Sequence, residues 1–269
     1  MYKDILTKEL IQLAQIYGKV KFGEYYIHPL ENINSSIIFK ELEYSFHPKS
    51  WKKINDNANY KSRLFKVHPN SKTKIPKVYE MQSSNSSDAL AMNIFCFPDF
   101  VKWGGIRKLL KIQESSTIDF GFKPKVKKRI KGISKRDSSE VDIFINNSII
   151  CECKLTEAGF THKEKNKVQK YVSFEKVFHT GKLIQNDKNY FNYQLIRNIL
   201  AAEQHGCRFI LLCDMRRPDL TKSFYQTIRC IKDEYLELRS NCEIIYWQDI
   251  AHVVGKELRI FLKEKYSII

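Results

Sequence analysis

Apolar residues at Leu6, Leu10, Leu13, Ala14 and Tyr17 recur at intervals of three and four, which places them on one face of a helix. Gly18 follows the run and is read as its stop. Residues 19–80 intersperse aromatics, Asn, Ser and Lys without a clean period, and short strands and turns are expected there. The stretch Ser83-Ser84-Asn85-Ser86-Ser87 then leads into Ala89, Leu90, Met92, Asn93, Ile94 and Phe95. A Ser or Asn oxygen accepts an otherwise unpaired backbone N–H, so a helix is predicted to start here. Asp88 in its first turn suits the helix dipole.

A period of two takes over later. Val141, Ile143 and Ile145 alternate with Asp142 and Phe144. Asn146, Asn147 and Ser148 form a turn, after which Ile149, Cys151, Cys153 and Leu155 alternate with Ile150, Glu152 and Lys154. This pattern predicts a β-hairpin. Beyond it, residues 190–205 have helical spacing and 207–214 read as a buried strand. Residues 219–239 read as one or two helices, 243–247 as a last strand and 248–264 as closing helical segments. Strands and helices mix throughout, so the class is α/β (α+β mixed), with a central mixed β-sheet flanked by helices. The expected division is an extension over 1–80, helical at its start and mixed afterwards, and a core over 81–269 that ends in helices. No internal repeat is visible.

Charge adds a partner class. The 269 residues hold 46 Lys and Arg against 30 Asp and Glu, a formal charge of +16. A field of that sign favours polyanions, nucleic acid before an acidic membrane. Residues 123–136 contain Lys125, Lys127, Lys128 and Arg129 and no acidic residue, and are expected to be a loop or irregular strand that contacts phosphate. The seven cysteines form no C-x-x-C pair, so neither a disulfide framework nor a zinc knuckle is indicated; buried, reduced thiols in a cytoplasmic protein are. No run of about 18 apolar residues is present, so no membrane span is expected. The charged N-terminal pattern does not read as a signal peptide. Trp51, Trp103 and Trp247 are assigned to the core, and the scattered histidines, His162 and His179 among them, to solvated or internally satisfied positions.

Candidate chemistry sits in the hairpin. Glu152 and Lys154 are two apart in a strand and project from one face. A two-residue loop would put Asp142 on the opposite face. A three-residue loop, Asn146-Asn147-Ser148, pairs position 142 with 152 and sets the carboxylates side by side, and that register is expected. Two adjacent carboxylates repel unless a cation lies between them. Asp142, Glu152 and the carbonyl of Cys153 offer hard oxygen ligands to Mg²⁺, with Mn²⁺ as a substitute. Lys154 beside them would hold an attacking water or stabilise developing negative charge, and the reaction would be phosphodiester hydrolysis.

The segment Glu140-Val141-Asp142 … Ile150-Cys151-Glu152-Cys153-Lys154 resembles the PD-(D/E)XK nuclease superfamily, which includes many restriction endonucleases; the Pro of that signature is absent here. The resemblance covers about 83–215. It implies a restriction-endonuclease-like sheet and Mg²⁺-dependent DNA cleavage in a prokaryotic restriction or anti-phage role. Asp142 and Glu152 would be metal ligands and Lys154 the catalytic lysine. Tyr193-Gln194-Leu195-Ile196-Arg197 is similar to a helix that carries a catalytic Gln in several related families; Gln194 and Arg197 share a helix face and are expected to contact phosphate or orient Lys154. Asp88 is a candidate for an additional acidic residue, with Glu80 and Glu114 behind it. Cutting both strands of a duplex often uses two copies, so a homodimer is expected, and a partner protein is left open. The alternatives are a non-catalytic nucleic-acid-binding module on the same fold, or a nuclease acting on RNA or single strands.

Overall fold

The computed structural model describes residues 1–23, 36–68, 78–130 and 133–269. Two compact units emerge. The first contains 1–116, 214–216 and 246–269; the second contains 117–213 and 217–245. The division falls at 116/117, not at 80/81, and residues 246–269 return to the first unit.

The first unit is helical. It holds α1 (Tyr2–Phe22), α2 (Pro48–Asn55), α3 (Ala58–Arg63), α4 (Ser87–Phe95) and α5 (Gly104–Leu110). The second unit runs β1 (Ile118–Phe122), β2 (Lys127–Ile130), β3 (Ile133–Arg136), β4 (Val141–Ile145), β5 (Ile149–Cys153), β6 (His162–Glu164), α6 (Lys165–Val168), α7 (Phe174–Val177), β7 (Asn189–Phe191), α8 (Tyr193–His205), β8 (Arg208–Cys213), α9 (Pro218–Ile228), α10 (Leu236–Ser240) and β9 (Cys242–Tyr246). The chain closes with α11 (Trp247–Val253) and α12 (Lys256–Tyr266) in the first unit.

Two expectations for the first unit are corrected. The opening helix runs through Gly18 to Phe22, because Gly18 is packed inside it and the stop is Gly23, whose φ of 74° suits the left-handed cap. Residues 48–55 and 58–63 are helical, where strands and turns were expected. Local capping explains this: the His47 ring accepts from the Lys49 N–H, Pro48 supplies the first-turn φ, and Asn57 Oδ1 accepts from the N–H groups of Asn59 and Tyr60. The helix expected after the serine stretch is α4, with the Ser86 hydroxyl accepting from Ala89 N. Residues 24–35 and 69–77 lie outside the described part. Trp247 is fully buried and Trp51 and Trp103 are half-buried.

The second unit is built on a five-stranded mixed sheet in the order β1-β4-β5-β8-β9. β1 and β5 flank β4 antiparallel, and β8 joins β5 in parallel. Every residue of β5 is buried, and so is all of β8 except Arg208. Ile150, Cys151 and Ile210 have no exposed surface. A strand covered on both faces needs apolar residues at successive positions, which is why β8 reads as a continuous apolar run. α8 packs on β5 and β8, and its Leu195, Ile196, Ile199 and Leu200 are buried. Residues 127–130 and 133–136 are not irregular; as β2 and β3 they form a separate antiparallel ribbon. All seven cysteines are free and buried. No described helix is long and apolar enough to cross a membrane.

Lys265, in α12, has 1% exposure. Its ammonium lies 5.1–5.7 Å from the ring centres of Tyr17, Phe39, Phe261 and Tyr266 and donates to the Ser45 carbonyl. Burial without a carboxylate pushes its pKa well below the ordinary lysine value. Between the folded and unfolded pKa the unfolded chain binds the extra proton, so stability rises with pH across that window and levels off above about 10.4. Lys265→Met is therefore expected to stabilise the protein at pH 7, and the gap from wild type to narrow as pH approaches 10 in urea unfolding. A gap that stays constant from pH 7 to 10 would refute this account of Lys265.

Candidate active site

The hairpin turn fixes the register. Asn146 and Asn147 adopt φ of 50° and 53°, a left-handed conformation that Asn tolerates better than most residues. Ser148 N then donates to Ile145 O at 2.9 Å. The resulting three-residue loop pairs Ile145 with Ile149, Phe144 with Ile150 and Ile143 with Cys151. One step further along the same ladder, Asp142 stands opposite Glu152. The carboxylates therefore share one rung and project from one face, the arrangement that the three-residue loop requires.

Asp142 Oδ2 accepts from the backbone N–H of Cys153 at 2.7 Å. Glu152 is 3% exposed. Its Oε1 accepts from Lys154 Nζ at 2.8 Å and from Gln194 Nε2 at 2.8 Å, and its Oε2 accepts from Asn198 Nδ2 at 2.7 Å. Lys154 continues the β5 edge by donating its N–H to Leu212 O at 2.8 Å, and its side chain is buried. Burial opposes its charge, but Glu152, then Glu157, then Asp142 outweigh that cost and raise the Lys154 pKa above the ordinary lysine value. Lys154 is thus held as a cation. Leaving Glu152 buried without this partner would cost on the order of 3–5 kcal/mol.

On the other side of Asp142, Phe120 pairs with Ile143 and Phe122 with Val141, so the β1 residue facing Asp142 is Gly121. Its φ is 66°, a conformation that glycine adopts without strain. At this position β1 therefore presents backbone and no side chain to Asp142. The sequence reading missed Gly121; a glycine inside an aromatic strand pattern is the signal that would have found it.

α8 supports the hairpin from one face. Gln194 and Asn198 are four apart and aim at the same carboxylate. Gln194 contacts Glu152, not Lys154, and its buried Oε1 has no hydrogen-bond partner among the described residues. Asn198 was missed as well. Its signal is an Asn, a weak helix former, within the apolar run Leu195, Ile196, Ile199 and Leu200.

The expectation that Arg197 contacts phosphate is corrected. It is 3% exposed, and its guanidinium donates to Glu140 O and Asn198 Oδ1, both at 2.7 Å, and to Ser139 O. A buried guanidinium with three internal acceptors is committed to holding the segment that enters β4. The other basic candidates differ. Lys125, Lys127 and Arg129 are exposed, while Lys128 is half-buried, 3.2 Å from Asp137 Oδ2 and 4.4 Å over the Tyr171 ring. Directly opposite positions on the β2–β3 ribbon pair Lys127 with Arg136 and Lys128 with Lys135. Like charges across a ladder destabilise it.

Asp88, Glu80 and Glu114 are engaged elsewhere. Asp88 binds Arg63 and Lys66, Glu80 binds Lys66, and Glu114 binds Arg107. His162 is exposed on β6, and His179 is half-buried. Among the described residues, no three His, Cys, Asp or Glu side chains cluster as metal ligands.

Asp137 links ribbon and helix. It accepts from Ser139 N at 2.9 Å, from the Ser139 hydroxyl at 2.7 Å and from the Tyr171 hydroxyl, which also meets Tyr193 OH at 2.7 Å. Burial raises its pKa, but the bonds from Tyr171 and Ser139 and the charge of Lys128 override this and hold it well below the usual carboxylate range. Its stabilising effect is complete above the unfolded value of about 3.9 and is lost as pH falls through the folded one. Asp137→Asn is expected to cost roughly 1–3 kcal/mol at pH 7. The cost should shrink as pH drops below about 4. A melting temperature unchanged at pH 7 would contradict this role.

A family model described as "Restriction Endonuclease associating with ARP" matches residues 24–267. No curated protein and no solved structure matches the chain.

Proposed function

We propose that this chain, which belongs to the family of restriction endonucleases associating with ARP, hydrolyses DNA phosphodiester bonds at Asp142, Glu152 and Lys154. The PD-(D/E)XK pattern supplies the roles. The observation that carries the reading is the register: two carboxylates from adjacent strands and one protonated lysine share a face around a buried Glu152.

The donor set fits a hard divalent cation. Asp142 and Glu152, with the Cys153 carbonyl, would hold Mg²⁺, for which Mn²⁺ could substitute. Mg²⁺ is commonly bound by one or two carboxylates and keeps several waters. The orphaned Oε1 of Gln194 fits this too, since a coordinated water in the site would offer it a donor. When bound, such a cation lowers the pKa of its water and offsets charge on the scissile phosphate. The protein's own residues do the rest. Asp142 and Glu152 fix the position of the reacting centre, Gln194 holds Glu152 in place, and Lys154 presents a fixed positive charge to the developing negative charge on phosphorus oxygens.

The ribbon supports DNA as substrate. Its like-charged rungs cost stability that a phosphate backbone recovers, and Lys125, Lys127 and Arg129 are exposed to meet one. A restriction or anti-phage role in the cytoplasm, and a homodimer cutting both strands, fit this chemistry. The family's description names an association with ARP, and a partner of this kind is part of the proposal.

Incubation of plasmid with the protein and Mg²⁺ tests the reading. Nicking or cutting is expected, EDTA should abolish it, and Lys154→Ala should lower it by at least about 10²-fold. Cutting that persists in EDTA, or a folded Lys154→Ala protein cutting at the native rate, would remove the mechanism.

A further inference from the structure

We infer that Asn198 is a positioning residue that aims one oxygen of Glu152 at the divalent cation, and that Arg197 sets its orientation. The inference rests on the reading of Asp142 and Glu152 as cation ligands and adds a residue to it. An ionised carboxylate offers about four lone-pair directions. On Glu152, Lys154 Nζ and Gln194 Nε2 take the two on Oε1, and Asn198 Nδ2 takes one on Oε2. Among the described residues one direction is left over, on Oε2, and the Asn198 bond fixes where it points.

The orientation of the Asn198 amide is itself determined. Arg197 has only donors, and Arg197 Nη1 meets Asn198 Oδ1 at 2.7 Å, so the NH₂ end must face Glu152. Arg197 is held in turn by the carbonyls of Ser139 and Glu140, just before β4, and its Nε lies 3.9 Å from Asp137 Oδ2. The segment leading to Asp142 and the amide that aims Glu152 therefore share one guanidinium. Asn198 has no exposed surface and is flanked on α8 by the buried Leu195, Ala201 and Ala202 at helical spacing. An Asn is retained in that apolar setting only with both ends of its amide bonded, and both are.

The test uses the full chain and reads two numbers beside activity: Mn²⁺ affinity by calorimetry, and the separate kcat and KM for plasmid cutting. Asn198→Ala should weaken Mn²⁺ binding and lower kcat by roughly 10–100-fold each, with KM for DNA within about twofold. Arg197→Lys should shift the same numbers in the same direction but less. A packing role alone would lower the melting temperature and leave Mn²⁺ affinity and kcat in place below it. If Asn198→Ala gives no cooperative melt, Asn198→Ser, whose hydroxyl is too short to reach Glu152, is read by the same criteria. A folded variant with Mn²⁺ affinity and kcat within twofold of wild type overturns the inference. Wild-type protein that neither binds Mn²⁺ nor cuts in any divalent cation instead overturns the nuclease reading beneath it.

Discussion

Glu152 is a carboxylate withdrawn from water, and the second unit is arranged around satisfying it. Taking an ionised group to 3% exposure is tolerable only if charge and donors replace the lost hydration. Lys154 provides the charge from the same strand face, and two amides one helical turn apart on α8 provide the donors. That requirement sets the rotation of α8 over β5. It also explains why polar residues interrupt an otherwise apolar helix face. Asp142 adds a second negative group on the same rung, anchored by the Cys153 N–H, so two carboxylates face the ammonium of Lys154. A divalent cation is the proposed answer to that excess of negative charge.

The same helix connects the site to the basic ribbon. Tyr193 meets Tyr171, which bonds Asp137, which pairs with Lys128 on β2; Gln204 near the far end of α8 accepts from Lys127 N. Arg197 draws Ser139 and Glu140 to the helix between these points. The ribbon is thereby anchored at both ends of α8, and the exposed charges of Lys127 and Arg129 sit on a braced element, with Lys125 in the segment that leads into it. Bracing matters because ordering a flexible basic segment on binding would consume part of the electrostatic gain.

The hairpin and its register were legible in the sequence because period two, a three-residue turn and a Glu-x-Lys pair each constrain it separately. The β8 strand and α8 were legible for the same reason: long, strongly patterned runs leave few alternatives. The helices over 48–63 were not, since they are short and rest on side-chain caps from His47 and Asn57 that carry no periodic signal. Gly18 misled because a glycine reads as a stop whether it ends a helix or permits close packing within one. Arg197 misled because helix spacing gives a face but not its burial: positions 194, 197 and 198 all turn inward, and only the full fold shows that the guanidinium has carbonyls to bind there. Asn198 and Gly121 escaped notice because each acts by placement alone, one by offering a single donor and the other by lacking a side chain.

Crystals of the protein soaked in Mn²⁺, with anomalous scattering recorded at the manganese edge, test the central claim most directly. The account predicts one strong peak within bonding distance of both Asp142 and Glu152, lost in Glu152→Gln. Saturating Mn²⁺ with no peak at this pair, or a peak that bonds neither carboxylate, would contradict it.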